Sequence, residues 1–408
     1  MTDPIFLDHH ATTPCDPRVV EAMLPYFSRI FANAASPHGP GRQALEAVER
    51  ARAAIARTIG ADPSEIVLTS GATEADNLAL IGAVDAAQAR LFGGRGSSSE
   101  GEGLRGHIIT QVTEHKAVLD TCAHLERRGL DVTYLPVDGD GRVDPEAVRG
   151  ALRSDTLLVS IMAANNEIGT LQPLAQIGRI TREAGVLFHS DAAQALAFEA
   201  LDVDALQLDL MSLSAHKAYG PKGVGALYVR RKRPRVRLET QMHGGGHEKG
   251  RRSGTLDVPS IVGFGVACEL VLERREADSE RLAALRDGLL ERLRAAFPDL
   301  HVNGSMERRL PNNLNVSLPD LDARVLLDHL PGLAISSGSA CTSASQDGSY
   351  VLAALPGGRE WADGSLRFGL GRSTTEGELD LAALRLRQAV DTVRRLPARP
   401  ADVCEVAC

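Results

Sequence analysis

Two residues of this chain stand out by what surrounds them, a lysine and a cysteine. Only five lysines occur: Lys116, Lys217, Lys222, Lys232 and Lys249. Lys217 follows LMSLSAH and precedes AYGPKGVGALYV, which places it in a connection between two strand-like runs. Such connections carry function in α/β proteins. A lysine that forms a Schiff base must reach a carbonyl as the free amine, in a protected pocket near other positive charge. Ser214 and His216 beside it are suitable phosphate donors. A surface lysine in a glycine-rich turn is the other reading. Cys341 lies in SSGSACTSAS, where almost nothing apolar is at hand to pack against. Structural cysteines sit among apolar neighbours, so an exposed thiol on a mobile loop points to reactivity. Cys122 and Cys268 lie in helical, partly apolar runs and read as packing residues, and Cys15 falls in a turn.

Three further segments have chemistry in their spacing. Asp191 ends the apolar run VLFHS, and a carboxylate at a buried strand end needs a charge or donor beside it. A protonated ring nitrogen is one such partner; capping of the segment that starts at Ala192 is the alternative. SGATEADNLAL sets Ser70, Gly71 and Thr73 between a strand and a helix, where exposed amides and the positive helix end can seat a phosphate. Thr73 and Glu74 also suit an ordinary helix start. HGGGH at 243–247, followed by EKGRRSGT, has the H-x3-H spacing of a zinc pair, but no helix would hold its glycines and no cysteine is near. A flexible loop bringing a hydroxyl or arginine to an anion fits it better.

The elements that must position these residues follow from hydrophobic periodicity. Gln43 to Ile59 is patterned as a helix. Apolar strand runs at 66–70, 107–111, 132–137, 156–163, 186–194, 208–214 and 224–230 alternate with helical stretches. Several are continuously apolar, the signature of a mostly parallel sheet covered on both faces. A long helix is expected over 261–297, then shorter segments near 313–318, 333–340 and 365–370, and a last helix over 376–395. The expected architecture is α/β, with a large domain over 16–260 and a smaller α/β domain from 1–15 and 261–395. The Gly/Ser-rich stretch 93–106 reads as a mobile loop and the tail 396–408 as frayed.

Composition narrows the setting. The chain has 408 residues, 43% of them apolar, enough to bury a full core. A formal charge of -8 argues against a nucleic-acid partner. The one dense basic run, Arg230 to Arg237, reads as a solvated edge. No membrane-length apolar stretch or export signal is evident, and six cysteines without a C-x2-C pair form no disulfide framework. A reducing cytoplasm is expected, and no intrinsic metal.

In order and number, the motifs LDHHATTPCDP, SGATEADN, TEHKAVLDTC, NNEIG, HSDAAQ, SAHKAYGPKGVGALYVR, MHGGGHEKGRRSGT, PNNLNVS, SSGSACTSAS and SLRFGLGR closely resemble the cysteine desulfurases of the NifS/IscS type. These are fold-type-I pyridoxal-phosphate enzymes, and the likeness runs from residue 7 to about 395. SSGSACTS matches the subgroup with a long cysteine loop. The resemblance implies a seven-stranded, mostly parallel sheet and pyridoxal 5'-phosphate carried on Lys217. Asp191 would face the ring nitrogen and Gln194 the phenolic oxygen, with Asn166 near that oxygen and the substrate. His115 would stack on the ring and assist proton transfer. Ala72, Thr73, Ser214 and His216 would hold the phosphate, with Thr255 reaching across from the second subunit of a homodimer. Asn33, Asn166 and Arg367 would bind the substrate L-cysteine, Arg367 through its carboxylate. Cys341 would take the sulfur as a persulfide and pass it to an acceptor protein, expected to be an iron–sulfur scaffold.

Departures from the pattern are modest: Ala215 for the usual glycine, AANNE without a preceding histidine, FANAAS, and the 93–106 insert. The short tail shares little with the partner-binding end of the IscS type. An aminotransferase or a selenocysteine lyase would use the same lysine and aspartate, but Cys341 argues against simple transamination. A non-enzymatic scaffold subunit would be expected to lack Lys217 or Cys341.

Overall fold

The fold is taken from a computed structural model that describes residues 4–91, 103–338 and 348–396. Cys341, Cys404, Cys408 and most of the 93–106 stretch lie outside the described residues. The chain enters as a two-residue strand β1 (Ile5–Phe6), followed by helices α1 (Pro17–Met23), α2 (Pro25–Ser28) and α3 (Gly39–Thr58). The α3 helix starts ahead of the expected Gln43 because the His38 ring accepts a hydrogen bond from the Gly41 amide and Pro40 suits a first turn. Alternation then sets in: β2 (Ile66–Thr69), α4 (Ala72–Leu91), β3 (His107–Gln111), α5 (Lys116–Arg127), β4 (Asp131–Leu135), α6 (Pro145–Ala151), β5 (Thr156–Ser160), α7 (Leu174–Ala184), β6 (Leu187–Asp191), β7 (Leu210–Ser214) and β8 (Gly225–Val229).

Strands β2 to β8 form one seven-stranded sheet in the order β2-β8-β7-β6-β5-β3-β4. Only β8 runs against its neighbours; the other pairings are parallel. Side chains alternate between two cores, as a pleated strand requires. Ile108, Leu158 and Leu210 join the layer of α4 and α5, while Ile109, Val159, Phe188 and Met211 join the larger core on the other face.

The helix α8 (Val258–Ala296) runs for 39 residues. It crosses α3 so closely that a Cβ on Gly265 would lie 2.6 Å from the Ala51 Cα. After it come β9 (His301–Val302), β10 (Asn313–Ser317), α9 (Ala323–Asp328), β11 (Leu333–Ala334), α10 (Tyr350–Ala354), β12 (Ser365–Gly369) and α11 (Glu376–Val393). Strands β12, β10 and β9 form an antiparallel sheet, and β1 pairs in parallel with β11. The first residues of the chain are therefore bound to its C-terminal third.

The basic run at 230–237 is a solvated edge over most of its length but departs from one at its first residue. Arg230 is buried: its guanidinium meets Asp204 at 2.8 Å and Asp209 at 3.3 Å and donates to the Leu208 and Val203 carbonyls. Its partners precede it by more than twenty residues, so neighbours in sequence did not reveal them. Val236 is buried as well, and only Lys232 to Arg235 and Arg237 are exposed.

Gly265→Val, by forcing α3 and α8 apart, destabilises the protein by about 1–3 kcal/mol, read as a lower urea midpoint.

Candidate active site

The C-terminal ends of parallel strands open onto a cavity of about 560 Å³, where α/β sheets place ligands. Ala72, Thr73, His115, Asn166, Asp191, Gln194, Ser214, His216, Lys217 and Arg367 all line it. Asn33 and Thr255 do not: both are exposed in the single chain, and the Asn33 carboxamide oxygen accepts the Ala35 amide at 2.9 Å.

One wall is a helix start. The α4 helix begins at Ala72, directly after β2, so its first amides lack intrahelical acceptors and its dipole is positive there. The turn before it rests against β8, and a Cβ on Gly225 would come within 2.7 Å of the Gly71 Cα. Glu74 accepts from the Ser70 amide at 2.8 Å and pairs with Arg252 at 2.8 Å. Burial alone would raise its pKa, but Arg252 and Ser70 together bring it below the usual value.

The opposite wall is made by the first residues of the chain, whose role the sequence did not suggest. The Lys217 amine donates to the His10 carbonyl at 2.5 Å and the Ala11 carbonyl at 2.9 Å. Gln194 donates to the His10 carbonyl, and the His10 ring returns a hydrogen bond to the Gln194 oxygen, both at 3.0 Å. Burial, reinforced by the Arg367 charge, lowers the His10 pKa to about 3, so this ring is neutral. His216, against the Thr12 hydroxyl at 3.1 Å, is lowered to about 4 by burial and the Lys217 charge. The only sequence signal for this wall is the paired His9–His10 of LDHHATTPCDP.

Asp191 ends β6, buried, and accepts the Ala193 amide at 2.9 Å. Burial raises its pKa, and the Ala193 amide and the Lys217 charge offset only part of that rise. His115 caps α5, its Nδ1 accepting the Ala117 amide at 3.1 Å, which fixes the ring and leaves Nε2 to carry the proton. Arg367, in the middle of β12 and only 1% exposed, donates to the Asn166 carbonyl at 2.9 Å and Asp8 at 2.8 Å. Its Nε, the Asn166 Oδ1 and the His10 Nε2 are buried with no partner among the described residues. Native interiors rarely leave such groups unsatisfied, so they mark places for a polar ligand.

This set fits a phosphorylated pyridine aldehyde. The helix start suits the phosphate, Asp191 the ring nitrogen, and the Lys217 amine the carbonyl. A parallel α/β sheet with these groups at its strand ends defines a pyridoxal-phosphate enzyme of fold type I. The chain belongs to the class-V aminotransferase family, whose model matches residues 5–381, and its cofactor is pyridoxal 5'-phosphate. It is 55% identical over 397 residues to cysteine desulfurase IscS of Anaeromyxobacter sp. (strain Fw109-5), covering 97% of this chain and 94% of that one. Among solved structures, a NifS-like protein superposes with a TM-score of 0.85 at 36% identity, covering 95% of this chain and 100% of that one. SspA in complex with cysteine matches with a TM-score of 0.76 at 39% identity, covering 90% and 98%.

Beside the cavity, Glu114 is fully buried, accepting from the Met162 amide at 2.6 Å and Gln111 at 2.9 Å, while its Oε2 has no partner. Burial, with the Asp191 charge adding, raises its pKa from 4.5 to about 8. The folded state thus holds a proton that the unfolded chain releases above pH 4.5, and this contribution to stability is lost as pH rises toward 8. Glu114→Gln keeps the shape without the titration. It should gain on the order of 3 kcal/mol over the wild-type apoprotein at pH 7, and little at pH 4.5. Urea unfolding at the two pH values measures the difference.

Proposed function

We propose that this protein is a cysteine desulfurase, converting L-cysteine to L-alanine and leaving the sulfur as a persulfide on Cys341. The observation that carries this reading is the gathering of Lys217, Asp191, His115 and Arg367 around one cavity. When bound, the cofactor supplies an electron sink for a carbanion at the substrate's α-carbon. Asp191 keeps the ring nitrogen protonated, and Gln194 and Asn166 address the phenolic oxygen. With the cofactor bound, the Lys217 amine would remove the substrate's α-proton and His115 would assist its transfer. Arg367 holds the substrate carboxylate, with Asn33 assisting.

The Cys341 thiolate then attacks the substrate sulfur. A sulfur–sulfur bond forms, the carbon–sulfur bond breaks, and its electron pair stays on carbon, which is protonated to give alanine. The described residues after the Cys341 segment are tied to loops beside cavity-lining residues. Ser349 donates to Glu167 at 2.5 Å, next to Asn166, and Tyr350 donates to the Glu114 carbonyl at 2.7 Å, next to His115. Both ties support delivery of the thiol to this site.

The reading extends to a homodimer in which Thr255 completes the partner's phosphate site, consistent with its exposure in the single chain. It includes division into a large domain over 16–260 and a small one over 1–15 and 261–395. It further includes a cytoplasmic setting and transfer of sulfur to an iron–sulfur scaffold. Among the described residues no helix is long and apolar enough to cross a membrane.

Two variants test the reading. Wild-type protein is expected to be yellow, whereas Lys217→Ala loses the absorbance of covalently held cofactor and its fixation by borohydride. Cys341→Ala keeps that absorbance but makes no alanine, and mass spectrometry of wild type after brief exposure to cysteine finds one added sulfur on the Cys341 peptide. Sulfur on Cys15, Cys122 or Cys268 instead, or alanine at the normal rate from Cys341→Ala, overturns it.

A further inference from the structure

Under the sheet end that carries Asp191 lies a group of ionisable residues with no part in the reaction above. Asp76 falls on the buried stripe of α4 with Ala79, Leu80 and Ala83. Both its carboxyl oxygens are buried without a well-formed hydrogen bond among the described residues. The nearest basic group is His189 Nε2, at 3.6 Å. That ring is already held between the Ser160 hydroxyl at 2.8 Å and the Ser212 hydroxyl at 3.0 Å, and burial lowers its pKa to about 3. It is neutral and cannot serve as a counter-ion.

The charges that Asp76 feels from the elements around it are those of Asp191 on β6 and Glu114 before α5. Both are acidic, and the positive charge of Lys217 bears on Asp191 instead. Ionised, Asp76 would be a buried anion with no cation among the described residues, two acidic neighbours and only the Ser212 hydroxyl as a donor, an arrangement that burial disfavours. Burial and the Asp191 charge accordingly raise its pKa well above the usual carboxyl value. Protonated, it becomes a donor in reach of acceptors on Ser212 and His189.

We propose that Asp76 is a positioning residue held as a neutral carboxylic acid, which hydrogen-bonds into the Ser212–His189 pair and leaves Asp191 as the anion facing the cofactor's ring nitrogen. Only the last clause rests on the pyridoxal-phosphate reading; the protonation of Asp76 stands without it. Asp76 ties three parts of the site together. It belongs to the helix whose start seats the phosphate, it abuts the strand that ends in Asp191, and it faces the strand that ends in Ser214.

Difference infrared spectroscopy of the apoprotein tests the protonation directly. Wild type minus Asp76→Asn is expected to show a protonated-carboxyl band at pH 7, separate from the band that Glu114→Gln removes. In the holoenzyme, Asp76→Ala is expected to weaken cofactor binding about tenfold, the effect of one buried hydrogen bond. The neutral isostere Asp76→Asn restores that affinity and leaves the pH midpoint of the cofactor's visible absorbance where it was. A carboxylate band for Asp76 at pH 7, or a midpoint moved by Asp76→Asn, overturns the proposal. Should Asp76→Ala not fold, the infrared and Asp76→Asn measurements decide. Wild-type protein that binds no cofactor would overturn the pyridoxal-phosphate reading, with the infrared result still judging Asp76.

Discussion

A carboxylate buried at the end of a parallel strand sets the terms for much of what surrounds it. Asp191 is almost wholly withdrawn from water, and its environment is arranged so that its charge can survive there. The Ala193 amide donates to it, and the positive charge of Lys217 favours its ionised form. Three carboxyl groups in one low-dielectric region cannot all ionise, because each added charge raises the energy of the others. Burial raises the proton affinity of all three, of Asp76 well above the usual carboxyl value and of Glu114 to about 8. The same burial keeps His10 and His189 uncharged. The interior around the cavity is thus polar in composition yet sparing in net charge, a condition under which one selected anion can act strongly.

The geometry of that anion's partners depends on the chain's beginning. Asp8 meets Arg367, the carbonyls of His10 and Ala11 receive the Lys217 amine, and Thr12 and Thr13 meet His216. A rigid sheet supplies Asp191 and Ser214, but the segment before α1 fixes how the lysine and arginine are held relative to them. Holding the amine between two carbonyls limits its rotamers, so less freedom remains to be lost when a ligand binds.

Much of this was legible in the sequence, for reasons that can be named. Buried parallel strands are continuous apolar runs, so all seven strands of the large sheet coincide with segments found by periodicity. Ten site residues fell into one cavity, most of them at or just beyond a strand end or at a helix start, where sequence patterns are most distinctive. What stayed hidden depends on partners far along the chain. Arg230 belonged to a basic run until folding brought Asp204 and Asp209 to it. Asp76 had a local clue, a charged residue on the apolar stripe of a helix, but its acidic neighbours come from other strands. The contact between His10 and Lys217 spans 207 residues, beyond any local pattern.

The pairing of the first residues with the last strands also imposes an order in time. His9 bonds to Gly369, a separation of 360 residues, so the segment made first must wait for one made near the end. At ~5–20 residues per second on the ribosome, that interval is roughly 20 to 70 s. Through that time the large sheet can form, while the lysine's two carbonyl acceptors belong to a segment not yet tied down at β12 and β11. Cofactor loading is then an event of the finished chain rather than of the growing one. A chain truncated between β8 and β12 would keep its large sheet and lack a complete binding site.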